Sequence, residues 1–228
     1  MEAHEVLQML KEEQEQKLQY PKITTRPLGS EDNHFEALKI FAGNNWEFTP
    51  EITNLYKLLI NYFHGIESDK YNLSKGIMIV GSYGSGKTSL FEQFRIYLRK
   101  FGNPNCFSIV PCRLILREFT KKGFEGLEKY SYNHELNAHD IPYSNPNNLC
   151  IDDLGTEEGK GINYGQKVDC ISELMQDRYE LSKSNNIFTH ATSNLSPSQM
   201  KDIYSERIID RFVEMFNIFV LTGKSHRI

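Results

Sequence analysis

No run among the 228 residues approaches the ~18 consecutive apolar positions that a membrane span needs. The N-terminus also lacks the basic start and apolar stretch of a secretory signal. Both absences lead to the expectation of a cytoplasmic protein with no membrane partner. Cysteine is scarce: Cys106, Cys112, Cys150 and Cys170 form no C-x-x-C pair, and no histidines cluster at zinc-ligand spacing. Four buried thiols in a reducing compartment are the expectation. Positive charge is in short supply too, with 26 Lys and Arg against 30 Asp and Glu, a net charge of -4. Bulk charge therefore does not coat duplex DNA, and any nucleic-acid contact must come from a local patch. Internal repeats and low-complexity tracts are absent, and the length suits one α/β domain with small additions.

What the chain does have is a change of pattern along its length. Residues 1–20 are rich in Glu, Gln, Lys and Leu, with Val6, Leu7 and Leu10 on one helical face. This is either a solvated helix or an arm that docks on a partner. Pro21 to Glu31 reads as a linker. Glu51 to His64 has Ile52, Leu55, Leu58, Leu59 and Tyr62 at helical spacing, with Pro50 suited to the helix start. From Gly76 onward, short apolar runs alternate with amphipathic segments. The runs are Gly76–Val80, Cys106–Val110, Asn148–Ile151, Asn186–Ala191 and Asn217–Leu221. Helices are expected near Lys87–Phe101, Leu114–Lys122, Gln166–Ser184 and Ser205–Phe216, while residues 123–147 show no clear element. The alternation predicts an α/β fold, a parallel sheet covered on both faces.

The first apolar run feeds Gly81-Ser82-Tyr83-Gly84-Ser85-Gly86-Lys87-Thr88, a G-x-x-x-x-G-K-[ST] phosphate loop, and Ser89 opens the helix behind it. Glycines let backbone N–H groups converge on phosphate oxygens, and the helix end offers its positive pole to the same anion. Lys87 is placed for the β- and γ-phosphates and Thr88 for Mg²⁺, so ATP and Mg²⁺ are the expected ligands. A second apolar run ends in Asp152-Asp153, which puts two carboxylates at the C-terminal edge of a strand, where α/β sheets bind ligands. Asp152 is the expected Mg²⁺ partner. Asp153 is placed to orient or deprotonate water.

With these motifs in place, roughly residues 35–228 resemble AAA+ ATPases, and within them DnaC-type helicase loaders and IstB-type transposition helper ATPases. The phosphate loop and LCIDDLG correspond to Walker A and Walker B. HATSNLS looks like the sensor 1 segment with Asn194, and YSERIIDRF looks like the arginine-finger segment with Arg207 and Arg211. LTGKSHR resembles the loaders' ending, with Arg227 toward the nucleotide. The resemblance implies a parallel five-stranded sheet in the order 5-1-4-3-2 between helices. It also implies an N-terminal helical arm and linker over 1–34, an ATPase domain over 35–228, and no C-terminal helical lid. It further implies a nucleotide-dependent homo-oligomer, in which Arg211 reaches a neighbour's ATP, acting on a replicative helicase or a transposase. Many AAA+ proteins carry Glu where this chain has Asp153, and the shorter side chain points to slow hydrolysis.

Each assignment has a plainer alternative. Asn194 is also positioned to cap a helix starting near Pro197, and Arg207 and Arg211 with Glu206 and Asp210 suit a solvated ion-pair face. Arg113, Arg117 and Lys121 recur every four residues, with Lys122 beside them, and in the loaders this region contacts single-stranded DNA. Phe119, Phe124 and Tyr130 are candidate base-stacking groups, or else core. The competing functions are a small-molecule kinase, suggested by Asp177-Arg178-Tyr179, and a nucleotide-gated binding module with little hydrolysis. No N-K-x-D guanine-reading motif occurs.

Overall fold

The computed structural model describes residues 22–43, 46–131, 148–156, 161–163, 166–184 and 187–221. In chain order the elements are α1 (Glu31–Ala42), α2 (Pro50–Phe63), β1 (Gly76–Val80), α3 (Lys87–Lys100), β2 (Ser108–Pro111), α4 (Cys112–Lys122), α5 (Glu125–Ser131), β3 (Leu149–Leu154), β4 (Gly161–Asn163), β5 (Gln166–Val168), α6 (Cys170–Ser184), β6 (Thr189–Ser193), α7 (Pro197–Ile203), α8 (Glu206–Met215) and β7 (Phe216–Val220).

Five strands form one parallel sheet in the order β2-β3-β6-β1-β7. Counting these strands alone gives 2-3-4-1-5, the expected order read from the other edge. Central strands buried on both faces explain the continuous apolar runs of the sequence. Along β1 the side chains alternate between two cores. Ile77 and Ile79 join Tyr56 and Phe63 of α2 and Phe91 and Phe94 of α3. Met78 joins Ile115 of α4, Leu174 of α6 and Phe212 of α8. Among the described residues no helix follows β7, and none is long and apolar enough to cross a membrane.

Local chemistry sets the helix starts. The Ser30 side chain accepts from the Asn33 N–H at the start of α1, with Glu31 and Asp32 in the first turn. Thr49 caps α2, and Pro50 occupies its first position. The expected helix over Gln166–Ser184 starts only at Cys170, because Gln166–Val168 pairs as a hairpin with Gly161–Asn163. Asp169 then accepts from both the N–H and the hydroxyl of Ser172 and starts the helix. Part of the unassigned 123–147 stretch is helix α5.

The segment read as a linker is extended but tied down. Ile23 is buried in the α2–α3 core, and its N–H bonds Leu73 O at 3.0 Å. Asn105 clamps the Thr24 backbone from both sides. α1 spans the expected boundary at residues 34 and 35. The arm expected over residues 1–20 lies outside the described residues.

Two buried polar side chains hold the sheet from inside. His190 Nδ1 accepts from the Ile77 N–H at 3.0 Å. Burial, reinforced by the Arg178 charge, pushes its pKa down to about 3. Arg178 donates to Thr189 Oγ1 and to the carbonyls of Tyr130 and Phe188. Burial lowers its pKa to about 9. The arginine of Asp177-Arg178-Tyr179 is thus turned inward in mid-helix, engaged with the protein's own backbone.

Candidate functional site

The ends of β1, β3 and β6 lie side by side, and their C-terminal residues build one cleft. After β1 the chain turns through Gly81–Gly86, with Gly84 at φ 77° and Gly86 at φ 90°, a left-handed region that side-chain-bearing residues rarely adopt. Gly86 is also a close-approach position, since a Cβ there would lie 2.3 Å from the Trp46 ring. α3 begins directly behind it, so its first turn of N–H groups faces the cleft.

Lys87 is only 4% exposed. Its Nζ donates to Gly81 O and Ser82 O at 2.9 Å each and to Asn194 Oδ1 at 2.5 Å. Asn194 Nδ2 in turn donates to Asp153 Oδ1 at 3.2 Å. One amide therefore joins the phosphate-loop lysine to the second carboxylate. The helix cap belongs to Ser196, which forms a reciprocal capping box with Gln199 ahead of α7.

Beside this chain lies a second one. Thr88 Oγ1 donates to Asp152 Oδ1 at 2.8 Å, although the two are 64 residues apart. Thr192 Oγ1 donates to the same oxygen at 2.7 Å and accepts from the Asp153 N–H at 2.8 Å. Asp153 has φ 57°, a positive value that no other non-glycine residue shows among those described. It sits where the β3–β6 register shifts between Ile151 and Leu154. Such a backbone costs on the order of 1–3 kcal/mol and persists where the surroundings hold it. Here the Thr192 hydroxyl and the Asn194 amide do so.

The cleft has a volume of about 530 Å³. It is lined by Gly84, Gly86, Lys87, Thr88 and Ser89 of the phosphate loop and α3, by Asp153 and Asn194 at the strand ends, and by Ala42, Trp46, Gln93 and the exposed Tyr83. Gln93 is buried and accepts from the Tyr56 hydroxyl. The motifs did not point to Thr192, Trp46 or Gln93. Thr192 stands two residues before Asn194 in HATSNLS. Trp46 is the chain's single tryptophan.

The donor set fits a magnesium-bound triphosphate. A hydroxyl and a carboxylate are the hard oxygen ligands that Mg²⁺ takes, usually one or two from protein with the rest from phosphate and water. Among the described residues no group of three or more His, Cys, Asp or Glu side chains gathers to form an all-protein cage. Convergent loop N–H groups and the Lys87 ammonium suit the anion.

Arg211 and Arg207 lie on α8 and are not among the described residues that line this cleft. The Arg211 guanidinium lies 3.9 Å over the Tyr179 ring and 3.9 Å from the Glu214 carboxylate. Arg207 is exposed. Of the ion-pair face considered for Arg207 and Arg211 with Glu206 and Asp210, none of those pairs forms among the described residues, and Arg211 meets Glu214 instead. Arg227 lies outside them.

On α4, Arg113, Arg117, Lys121 and Lys122 are all exposed. Glu118 pairs instead with Lys129 and the Tyr130 hydroxyl. Two of the three candidate stacking rings are core: Phe119 and Tyr130 are 0% and 2% exposed. They sit on the face of the helix pair that packs inward, so base stacking at these two is ruled out. Phe124, 59% exposed and edge-on to Phe119, is the ring left at the surface.

No family model and no curated protein matches this sequence. In fold it is similar to several solved structures. One is the DnaC helicase loader, with 18% identity, 83% of this chain and 99% of that chain covered, and a TM-score of 0.55. Another is DnaI, with 21% identity, 82% and 93% coverage, and a TM-score of 0.53. At such identities the likeness is one of fold, the parallel five-stranded α/β sheet whose strand order the resemblance implied.

Proposed function

For a chain folded like the DnaC helicase loader and DnaI, we propose an ATPase that acts in DNA replication by loading a helicase. The observation that carries this reading is the pair of side-chain chains meeting at the cleft, Lys87–Asn194–Asp153 and Thr88–Asp152–Thr192. Residues Gly81 to Ser89 hold the phosphates. Thr88 and Asp152 hold Mg²⁺, which when bound neutralises charge on the phosphate oxygens. Lys87 reaches the outer phosphates from its place in the loop. Asp153 orients the attacking water and accepts its proton, and Asn194 fixes both the water and the carboxylate. The left-handed backbone at Asp153 brings its carboxylate to Asn194, which offsets the shorter reach of Asp relative to Glu.

Trp46 and Ala42 offer an apolar wall to the base. Arg211 serves the ATP of a neighbouring copy in a homo-oligomer, which couples assembly to hydrolysis. Arg207 and Arg227 are secondary cations of the same interface. The exposed α4 cations with Phe124 carry single-stranded DNA, through charge and one stacking ring.

The test is ATP binding and turnover by the full chain and by Asp153→Asn. Binding that persists while turnover collapses supports an ATPase. Equal, very slow turnover in both proteins would leave a nucleotide-gated binding module. A pull-down with the replicative helicase of the source organism tests the client, and recovery of a transposase in its place would move the protein to the transposition helpers.

A further inference from the structure

The two arginines of α8 differ in a way their spacing does not reveal. Arg207 is exposed, with no aromatic ring or carboxylate partner among the described residues. Arg211 is shelved. Its guanidinium carbon lies over the Tyr179 ring of α6, 3.9 Å from the ring centre. The Tyr179 hydroxyl donates to Glu214 Oε2 at 2.6 Å, and Lys183 stands 3.7 Å from the same carboxylate oxygen. Tyr179, Glu214 and Lys183 thus form a braced platform between α6 and α8, with Arg211 lying on it.

The geometry of the stack decides what the platform does. All five guanidinium N–H donors lie in the plane of the group, the ring offers them no carboxylate or carbonyl acceptor, and among the described residues none of them makes a hydrogen bond. At 3.9 Å the Glu214 carboxylate is beyond hydrogen-bonding distance of Arg211 Nη1, so it attracts the cation without taking up a donor. The Arg211 side chain keeps 26% of its surface exposed. A long side chain that would otherwise lose rotamer freedom on meeting a phosphate is held in one orientation beforehand, its donors still free.

We propose that Tyr179 and Glu214 are positioning residues that pre-orient Arg211 for a phosphoryl group presented by a second copy of this chain. Arg207, without such a platform, remains a secondary cation of that interface. This rests on the trans role given to Arg211 above, and the experiment separates the two.

ATPase rates are measured on the full chain at a concentration where it assembles. Tyr179→Leu keeps an apolar side chain in the packed position and removes the ring face. It lowers kcat about tenfold with KM for ATP unchanged, while Tyr179→Phe, which keeps the face, retains at least half of kcat. Mixing Tyr179→Leu with Lys87→Ala raises turnover at least twofold above the mean of the separate proteins, because each Lys87→Ala subunit brings an intact Arg211 platform to its neighbour. A merely structural role for Tyr179 predicts no such gain. If Arg211→Ala hydrolyses ATP at the wild-type rate, the trans reading fails and the platform with it. If Arg211→Ala is impaired while Tyr179→Leu is not, or the mixture shows no gain, the platform alone is overturned.

Discussion

The cleft and the α4 surface hold charged groups in opposite ways. In the cleft every charged side chain is fixed by another from a distant part of the chain: Lys87 by Asn194, Asp152 by Thr88 and Thr192. On α4 the cations Arg113, Arg117 and Lys121 point to solvent, without ion-pair partners among the described residues. The first arrangement depends on the register of β1, β3 and β6, so small changes there break it. The second depends on the number of charges on one helix face, and it tolerates substitutions that keep the sign. A site proposed for chemistry and a surface proposed for a polyanion are expected to differ in this respect.

The sharpest way to test that contrast is within the cleft. Asp153→Asn keeps the shape and the contact with Asn194 but removes the proton acceptor. Steady-state turnover is expected to fall on the order of 10²–10⁴-fold, with nucleotide affinity, measured by calorimetry, within a few-fold of wild type.

Next comes the core beneath the cleft. Burial holds the pKa of His190 down to about 3, against about 6.5 in the unfolded chain. The unfolded state therefore takes up a proton that the folded state refuses. The resulting stabilisation is complete above pH 6.5 and is lost as the pH falls from there toward 3. Between pH 7 and 5 the loss is about 2 kcal/mol. His64, also lowered, chiefly by burial, adds to it in the same direction. Denaturant melts across that range check the slope, and His190→Asn, which keeps an acceptor for the Ile77 N–H, flattens it.

A smaller effect belongs to α4. Arg117→Glu with Lys121→Glu weakens single-stranded DNA binding about tenfold and lowers its salt slope by roughly one unit for each phosphate no longer neutralised. Conservative Arg→Lys exchanges at the same positions change little. The smallest effect is spectroscopic. Trp46 is the chain's single tryptophan, so its emission reports the part of the cleft proposed to receive the base. Addition of ATP shifts it, and addition of inorganic tripolyphosphate, which lacks a base, does not.

How far these features were legible depended on how local their signals are. The phosphate loop, the apolar strands and Asp152-Asp153 are written in consecutive residues, and each fell where it was expected. Thr192 was not singled out, because its role comes from lying across from β3, and only the strand pairing puts it there. The Arg211 platform has the same origin, since Tyr179 is brought to it by α6 packing on α8. Trp46 gave no sign beyond its rarity, and a lone tryptophan ordinarily reads as core. The rings left open between stacking and core are more instructive. Phe119 follows Arg117 by two positions, about 200° around a helix, so the period that gathered the cations already placed Phe119 on the far side. The β4–β5 hairpin was missed because its three-residue strands are too short for alternation to show.

The inward-turned Arg178 bears on how the molecule assembles. Its donors meet groups at sequence separations of 48, 11 and 10 residues. Until α5, α6 and the start of β6 have all come together, that guanidinium keeps its water, because stripping it early carries a desolvation penalty of several kcal/mol with nothing to offset it. The Arg178 site is therefore complete only when all three segments are in place, and a truncation that removes α5 should take away the Tyr130 acceptor and destabilise the β6 side of the sheet.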